Sequence, residues 1–174
     1  MIHPIFWVAV SFAVIFAIAD NLLSRQASSY SITHPNDFVQ RLLSDDPIEI
    51  TPKGISISAD RSGHYSGVGM INNQKMAFMI DTGATLVAVP KDLAERAGLR
   101  FGAQVVSRTA AGNVLAFQTT IPTLQMGSIT LTNTHAVIHE KLEVVLIGMT
   151  VLKNFKVTQF DGKMAIESAS YKVE

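Results

Sequence analysis

The sequence FMIDTGAT, residues 78–85, is the stretch from which the rest of the chain is best interpreted. An apolar run leads directly into Asp81, and a carboxylate at the end of a buried strand needs hydrogen bonds, because burial disfavours its ionised form. Gly83 allows a sharp turn that brings backbone N–H groups close to the carboxylate oxygens, and the Thr82 hydroxyl can fix the loop against a neighbouring group. The pattern predicts either a functional carboxylate on a tight loop or an ordinary turn in which an Asp ends the strand.

Two further features stand downstream of Asp81. Val144-Val145-Leu146-Ile147-Gly148 is an apolar strand that ends in a glycine. Between it and Asp81, the strand-like runs Val105–Thr109 and Val114–Thr120 bracket a short stretch of small residues, namely Ala110, Ala111, Gly112 and Asn113. This stretch predicts a hairpin with a small, flexible tip.

The remaining periodicity predicts an all-β domain over residues 55–174, a barrel or folded sheet with one or two short helices. His64–Ile71 and Lys75–Ile80 flank Asn72-Asn73, a dipeptide that tolerates positive φ and favours a hairpin. One helix is expected after Pro90, over Lys91–Ala97, ending at Gly98. Leu86, Val87, Val89 and Leu93 are expected in the core rather than in a substrate pocket. Other short strands are predicted at Leu124–Met126, Ile129–Leu131, Ala136–His139 and Lys156–Phe160, followed by a turn at Asp161-Gly162.

The composition of the 174-residue chain excludes several classes of function. Its 14 basic and 14 acidic side chains balance, whereas a nucleic-acid-binding surface needs net positive charge. The absence of cysteine rules out disulfides, thiol chemistry and a Cys-based zinc site. His135, His139 and Glu140 do not form a convincing metal site, because strand residues four apart lie about 13 Å from each other. An actin-like phosphate loop is disfavoured, since residues 55–174 cannot supply a second phosphate loop and two sizeable domains.

Residues 1–19 predict a segment that is delivered to a membrane. Ile5–Ala19 is apolar on every helical face, and the first 19 residues contain no Asp, Glu, Lys or Arg, as expected for a helix in lipid. A cleaved signal peptide is one alternative, because Ala17-Ile18-Ala19 fits the small-x-small pattern, but the front end lacks the usual basic residues. A helix buried in a protein core is the other alternative. Residues 20–54 are expected to be a polar tether, with a possible short helix over Pro35–Leu43 and an irregular connection over Ser44–Lys53.

In the order of these elements the sequence resembles the retropepsin-like aspartic proteases, and more closely their bacterial membrane-anchored members. Those enzymes have an apolar strand leading into Asp-Thr-Gly-Ala, a flap hairpin with a small-residue tip, and an apolar-apolar-Gly segment. The corresponding stretches here are Asp81–Ala84, Thr109–Asn113 and Leu146–Gly148, within a match that covers roughly Tyr65–Glu167. The resemblance implies a retropepsin-like single-lobe barrel preceded by a transmembrane helix.

The resemblance also implies an aspartic endopeptidase in which Asp81 is catalytic. Two carboxyl groups about 3 Å apart share one proton in such enzymes, and the chain contains one Asp-Thr-Gly, so a second copy in a homodimer has to supply the partner. A peptide or protein is the implied substrate, water is the nucleophile, and no metal or organic cofactor is implied. The implied site residues are Thr82, Gly83, Ala84 and Thr85 in the active-site loop, Ala110, Ala111, Gly112 and Asn113 in the flap, and Ile147 and Gly148 beneath the loop.

Two aspects of function stay open at the level of the sequence. A retropepsin-like body could bind peptides or assemble without cleaving them, because a fold does not fix a function. The location that the resemblance implies is the inner membrane, with a single pass and the catalytic domain in the periplasm. Neither the substrate nor its preferred side chains can be deduced from the residues.

Overall fold

The computed structural model of the chain describes residues 47–109 and 112–168. The predicted membrane anchor at residues 1–19, the predicted helix over residues 35–43 and the flap positions Ala110 and Ala111 lie outside the described residues. Within the two described ranges, no helix is long and apolar enough to cross a bilayer.

Eleven strands and two short helices make up the described part of the chain, in agreement with the all-β fold class that the sequence predicts. In chain order they are β1 (Ile48–Thr51), β2 (Gly54–Ser58), β3 (Ser66–Ile71), β4 (Gln74–Ile80), β5 (Val87–Pro90), α1 (Lys91–Arg96), β6 (Gln104–Thr109), β7 (Gly112–Met126), β8 (Ile129–His139), β9 (Val145–Ile147), α2 (Met149–Leu152), β10 (Phe155–Phe160) and β11 (Lys163–Ser168).

Seven strands form one sheet, in the order β3-β4-β9-β5-β8-β7-β6. This sheet closes into a barrel because β3 also pairs with β7, with Gly69 opposite Met126 and Ile71 opposite Leu124. Gly69 is required at the closure, since a Cβ there would lie 2.4 Å from the Gln125 carbonyl oxygen. A second sheet of four strands has the order β1-β2-β11-β10.

Local turn chemistry places three chain reversals where the sequence predicts them. Asn72 and Asn73 have φ angles of 46° and 65° between β3 and β4, and Asp161 and Gly162 have φ angles of 47° and 69° between β10 and β11. Asn, Asp and Gly tolerate this left-handed region, in which most other residues are strained. Helix α1 ends before Gly98, whose φ of 67° is typical of a glycine that terminates a helix.

Strands β7 and β8 are longer than the sequence predicts. Four short strands with breaks around Pro122 and Asn133 are expected, but the structure has two strands of 15 and 11 residues. Pro122 has no N–H to donate, and Asn133, which has a φ of 52°, lies opposite it. The register omits this one step, with Ile121 paired to Thr134 and Thr123 to Thr132, and then continues unchanged. The ladder therefore tolerates the proline instead of ending at it.

The sequence prediction of an irregular connection over Ser44–Lys53 is wrong in its middle, which forms β1. The two isoleucines of β1, Ile48 and Ile50, pair with isoleucines of β2 that are fully buried. Pro47 and Pro52 lie just outside the strand, where a missing N–H removes no ladder hydrogen bond. The prolines thus mark the two ends of an edge strand.

Two separate apolar clusters fill the described body. The larger one contains Phe78 of β4, Val87 of β5 and Ile147 of β9, all of them fully buried, and it holds the strands that lead to Asp81 and Gly148. The smaller cluster consists of Ala88, Ala116 and Val137, with Leu86, Val105, Leu142 and Leu146 packed against it.

Candidate active site

Asp81 lies at the carboxyl end of β4, beside the end of β9. The two strands run parallel, with Met79 opposite Leu146 and Ile80 opposite Ile147. The Asp81 N–H donates to the Ile147 carbonyl oxygen at 3.1 Å, so the backbone pairing extends to the first residue of the loop. Asp81 is therefore fixed to the ends of two buried strands.

The loop after Asp81 orients its carboxylate through backbone groups. The Gly83 N–H donates to Asp81 Oδ1 at 2.9 Å, and the Ala84 N–H donates to the Asp81 carbonyl oxygen at 3.2 Å. A Cβ at Gly83 would lie 3.2 Å from Oδ1 and would crowd the carboxylate. Asp81 Oδ2 accepts no hydrogen bond from any residue that the structure describes, and Thr82 is exposed. One carboxylate oxygen and one hydroxyl thus remain available to a substrate or a partner chain.

Gly148 lies beneath this loop, at the point where β9 ends. It is buried, and a Cβ there would lie 2.3 Å from the Leu86 carbonyl oxygen and 2.6 Å from that of Ala84. Side chains do not approach backbone oxygens so closely, so glycine is what lets the two segments meet. Packing against the loop explains why the apolar segment ends in this residue.

The first turn of α2 completes the support for the loop. The Met149 N–H donates to the Ala84 carbonyl oxygen at 2.8 Å. The Thr150 N–H and hydroxyl both donate to the Thr85 carbonyl oxygen, at 2.9 Å and 2.5 Å. Thr150 is not among the site residues predicted from the sequence, in which its only signal is a hydroxyl soon after Gly148. The Thr150 hydroxyl can be assigned to the site only when the loop that contains Thr85 is known to lie beside it.

Asp81 opens onto a cleft of 1180 Å³, whose lining also includes Gly83, Ala84 and Thr85. Leu86, which is expected in the core, is half-buried against the smaller cluster and also lines this cleft. Largely apolar walls with a few polar groups are typical of a binding site. Part of the apolar lining comes from the smaller cluster and the residues packed against it, namely Leu86, Ala88, Val105, Val137, Leu142 and Leu146.

The β6–β7 hairpin, which holds the predicted flap, also lines the cleft. Thr109 pairs with Gly112 at its end, and Gly112 has a φ of 106°; Gly112 and Asn113 are both exposed. Val106 and Leu115 are cross-strand partners that line the cleft and stay 62% and 58% exposed. The hairpin thus presents large apolar side chains that the described part of the chain does not cover.

The end of β8 and the turn after it supply polar lining that was not predicted from the sequence. His139, Glu140 and Lys141 line the cleft, whereas His135 of the same strand is exposed and lies outside it. Burial lowers the pKa of His139 below its ordinary value of 6.5. Both histidines lie on β8, where residues four apart are about 13 Å from each other.

Asp161-Gly162 does not contribute to the cleft. Asp161 lies in the turn between β10 and β11 of the four-stranded sheet, as expected for a hairpin turn. Among the described residues that line the cleft, Asp81 is the one aspartate. A pair of catalytic aspartates therefore cannot be assembled from the described part of one chain.

Comparisons with known proteins bear on the family and on the fold. Residues 68–154, half of the chain, match the family model described as "gag-polyprotein putative aspartyl protease". A comparison with curated proteins gave no match. Among solved structures, a retropepsin-like aspartic protease from Rickettsia conorii is 24% identical, with a TM-score of 0.54, over 65% of this chain and 89% of its own.

Two other solved structures show weaker similarity. The EIAV protease complexed with the inhibitor HBY-793 is 18% identical, with a TM-score of 0.46, over 56% of this chain and 92% of its own. The retroviral protease-like domain of Ddi1 from Leishmania major is 17% identical, with a TM-score of 0.35, over 52% of this chain and 76% of its own. The likeness to the Rickettsia structure is a likeness of fold.

The residues matched by the family model run from β3 to the end of α2. They include the Asp81 loop, the β6–β7 hairpin, the polar end of β8 and Gly148, which are the parts that form the cleft. The chain therefore belongs to the family of gag-polyprotein putative aspartyl proteases, and its fold is retropepsin-like.

Proposed function

We propose that the chain is an aspartic endopeptidase that acts as a homodimer with one Asp81 from each subunit. The observation that carries this proposal is the Asp81 carboxylate, held by the Gly83 N–H at 2.9 Å at the edge of a large, mainly apolar cleft. Membership of an aspartyl protease family supports the same reaction. The substrate is a peptide or protein, since the cleft has the size and apolar character to bind side chains.

The chemistry requires two carboxyl groups in unequal roles. Two aspartates about 3 Å apart cannot both ionise, so they share one proton. The ionised carboxyl takes a proton from water as the water attacks the scissile carbonyl, and the protonated carboxyl donates a hydrogen bond to the carbonyl oxygen. The proton then passes to the leaving amine, and the peptide bond breaks. Water supplies one oxygen of the new carboxyl group, and the reaction involves no change of oxidation state.

A two-fold axis beside the loop would bring the two Asp81 residues together. The absence of another aspartate from the described cleft lining supports a partner that supplies the second carboxyl. Thr82 is exposed next to Asp81, and we expect its hydroxyl to form a hydrogen bond across the axis. The β6–β7 hairpins, with Val106 and Leu115 exposed, would then cover the bound peptide.

We further propose that the chain is a member of the bacterial membrane-anchored subgroup, with a single pass in the inner membrane and its catalytic domain in the periplasm. The uncharged apolar stretch Ile5–Ala19 supports the anchor. Confinement of two subunits to one membrane raises their effective concentration and favours the dimer. Protease accessibility in intact and permeabilised spheroplasts, with a carboxyl-terminal tag, tests this location. Digestion of the tagged domain only after permeabilisation would contradict it.

The Asp81→Asn variant of the full chain in detergent is the direct test of the reaction. We expect it to lose cleavage of a mixed peptide library by more than about a thousandfold while its dimer and thermal unfolding stay unchanged, because a neutral amide cannot accept a proton from water. Asp161→Asn is the matched control, since Asp161 lies in a turn outside the cleft and Asn tolerates its φ of 47°.

The same pair of variants separates the enzyme from a non-catalytic binding module. If wild type cleaves no peptide but binds peptides with equal affinity before and after Asp81→Asn, the chain is a binding or assembly module. Cleavage that survives Asp81→Asn would show that another group, or a contaminant, is responsible.

A further inference from the structure

The polar end of β8 places charged side chains on the lining of the same cleft as Asp81. His139, Glu140 and Lys141 are consecutive, and all three contribute to the lining. His139 lies opposite Pro90 of β5 and Ala116 of β7, so β8 is held between two strands up to its last residue. Glu140 and Lys141 follow in the turn directly after the strand, so all three side chains lie at or next to this fixed strand end and form part of the cleft surface.

The charge of Glu140 is compensated within the chain. Its Oε1 lies 3.4 Å from the Lys91 ammonium, at the start of α1. Lys91 directly follows Pro90, and Glu140 directly follows His139, which pairs with Pro90, so the two residues of the ion pair lie just after the ends of neighbouring strands. Glu140 and Lys91 together contribute no net charge to the rim.

Lys141 has no such compensation. It is exposed, and within residues 47–109 and 112–168 it makes no ion pair or hydrogen bond. His139 adds no full charge at neutral pH, because burial lowers its pKa. Among the described residues that line the cleft, Asp81 and Lys141 therefore carry the charges that no oppositely charged side chain neutralises.

We infer that the cleft selects peptides that present an acidic side chain to Lys141 next to an aliphatic side chain on the apolar floor. This inference rests on the proposed function, since it names the substrate class of the same site. The floor formed by Leu86, Ala88, Val137 and Leu146 takes the aliphatic side chain. An ammonium at the rim attracts a carboxylate and repels lysine or arginine at the same substrate position, so the selection is electrostatic.

The test uses the full-length dimer in detergent and a peptide set in which Glu, Gln or Lys replaces one residue at a time on either side of the cleaved bond. We expect one position at which kcat/KM falls in the order Glu, Gln, Lys, with a Glu-to-Gln ratio of about two to five, the range expected for an exposed ion pair. Raising the salt concentration should reduce this ratio, because ions screen exposed charges.

Variants assign the effect to one side chain. Lys141→Gln should bring the Glu-to-Gln ratio to about one, and Lys141→Glu should reverse the preference in favour of Lys. Lys153→Gln is the matched control, because Lys153 is an exposed lysine that lies outside the cleft lining. A ratio that Lys141→Gln leaves unchanged, or equal cleavage of the Glu and Lys peptides by wild type, would overturn the inference while leaving the protease function standing.

A binding measurement keeps the inference testable if no peptide is cleaved. Fluorescence anisotropy with labelled peptides and the Asp81→Asn variant reports affinity without turnover. Tighter binding of the Glu peptides, abolished by adding Lys141→Gln, would support the acidic preference even if the proposed reaction fails. Equal binding of Glu and Lys peptides would refute it.

Discussion

The Met149 N–H donates to the carbonyl oxygen of Ala84 at 2.8 Å and so joins helix α2 to the loop that carries Asp81. The next residue of each segment is joined in the same way, since Thr150 donates to the Thr85 carbonyl oxygen. Gly148 brings the two backbones close enough for these bonds. The position of the Asp81 loop therefore depends on a segment far away in the sequence.

Gly148→Ala should displace this loop. Its methyl group would lie 2.3 Å from the Leu86 carbonyl oxygen, and a backbone clash of this kind in a packed interior costs about 2 kcal/mol or more. We expect a lower free energy of unfolding in urea and loss of nearly all peptide cleavage. Gly63→Ala is the control, because Gly63 has open space around it and a φ of 83°, so a cost of about 1 kcal/mol with retained activity is expected. Wild-type activity in Gly148→Ala would show that the loop does not need this contact.

Thr82→Ala should weaken the proposed dimer. Removal of one hydroxyl from each subunit would remove a symmetric pair of hydrogen bonds, each worth about 1 kcal/mol, so the dissociation constant should rise about tenfold or more. Thr82→Ser keeps the hydroxyl and should stay close to wild type. Sedimentation velocity over a range of protein concentrations measures the change, with the exposed Thr130→Ala as the control. An unchanged monomer–dimer equilibrium in Thr82→Ala would contradict the expected contact across the axis.

Asn72→Gly should destabilise the barrel although glycine accepts the same backbone angle. The Asn72 side-chain amide donates to the Ala97 carbonyl oxygen at 2.9 Å, and its Oδ1 accepts from the Thr123 N–H at 3.2 Å. Loss of both bonds should lower the free energy of unfolding by about 2 kcal/mol. Asn73→Gly is a matched control, because Asn73 also has positive φ but makes no side-chain hydrogen bond to the described residues. Its stability should stay within about 0.5 kcal/mol of wild type, and equal effects of both variants would refute the prediction.

The lowered pKa of His139 should make folding stability depend on pH. Burial disfavours the charged imidazolium, so the folded chain binds this proton less readily than the unfolded chain does. The contribution of His139 to stability is therefore fully present above its unfolded pKa of 6.5 and is lost as the pH falls from there through the lower folded pKa. His139→Gln should reduce the loss of unfolding free energy between about pH 7.5 and about pH 5. The control His135→Gln changes an exposed histidine of the same strand, and an unaltered pH dependence in His139→Gln would disprove the assignment.

The turns were predictable because they depend on residues that are adjacent in the chain. Asn72-Asn73, Asp161-Gly162 and Gly98 adopt left-handed backbone angles that few other residue types accept. The Asp81 loop is similar, since the carboxylate is held by an N–H two positions away. In each case a short stretch of sequence contains both partners of the interaction.

Tertiary structure alone decided which distant residues meet. β9 lies between β4 and β5, and this order brings Gly148 and Thr150 under the loop. The register of β8 places His139 on the cleft lining, and Lys141 follows in the turn after the strand. The amino-acid sequence by itself determined the local loop, the turns and the family to which they point. Long-range strand pairing decided the cleft, because packing of the whole barrel selects the register and no short stretch of residues encodes it.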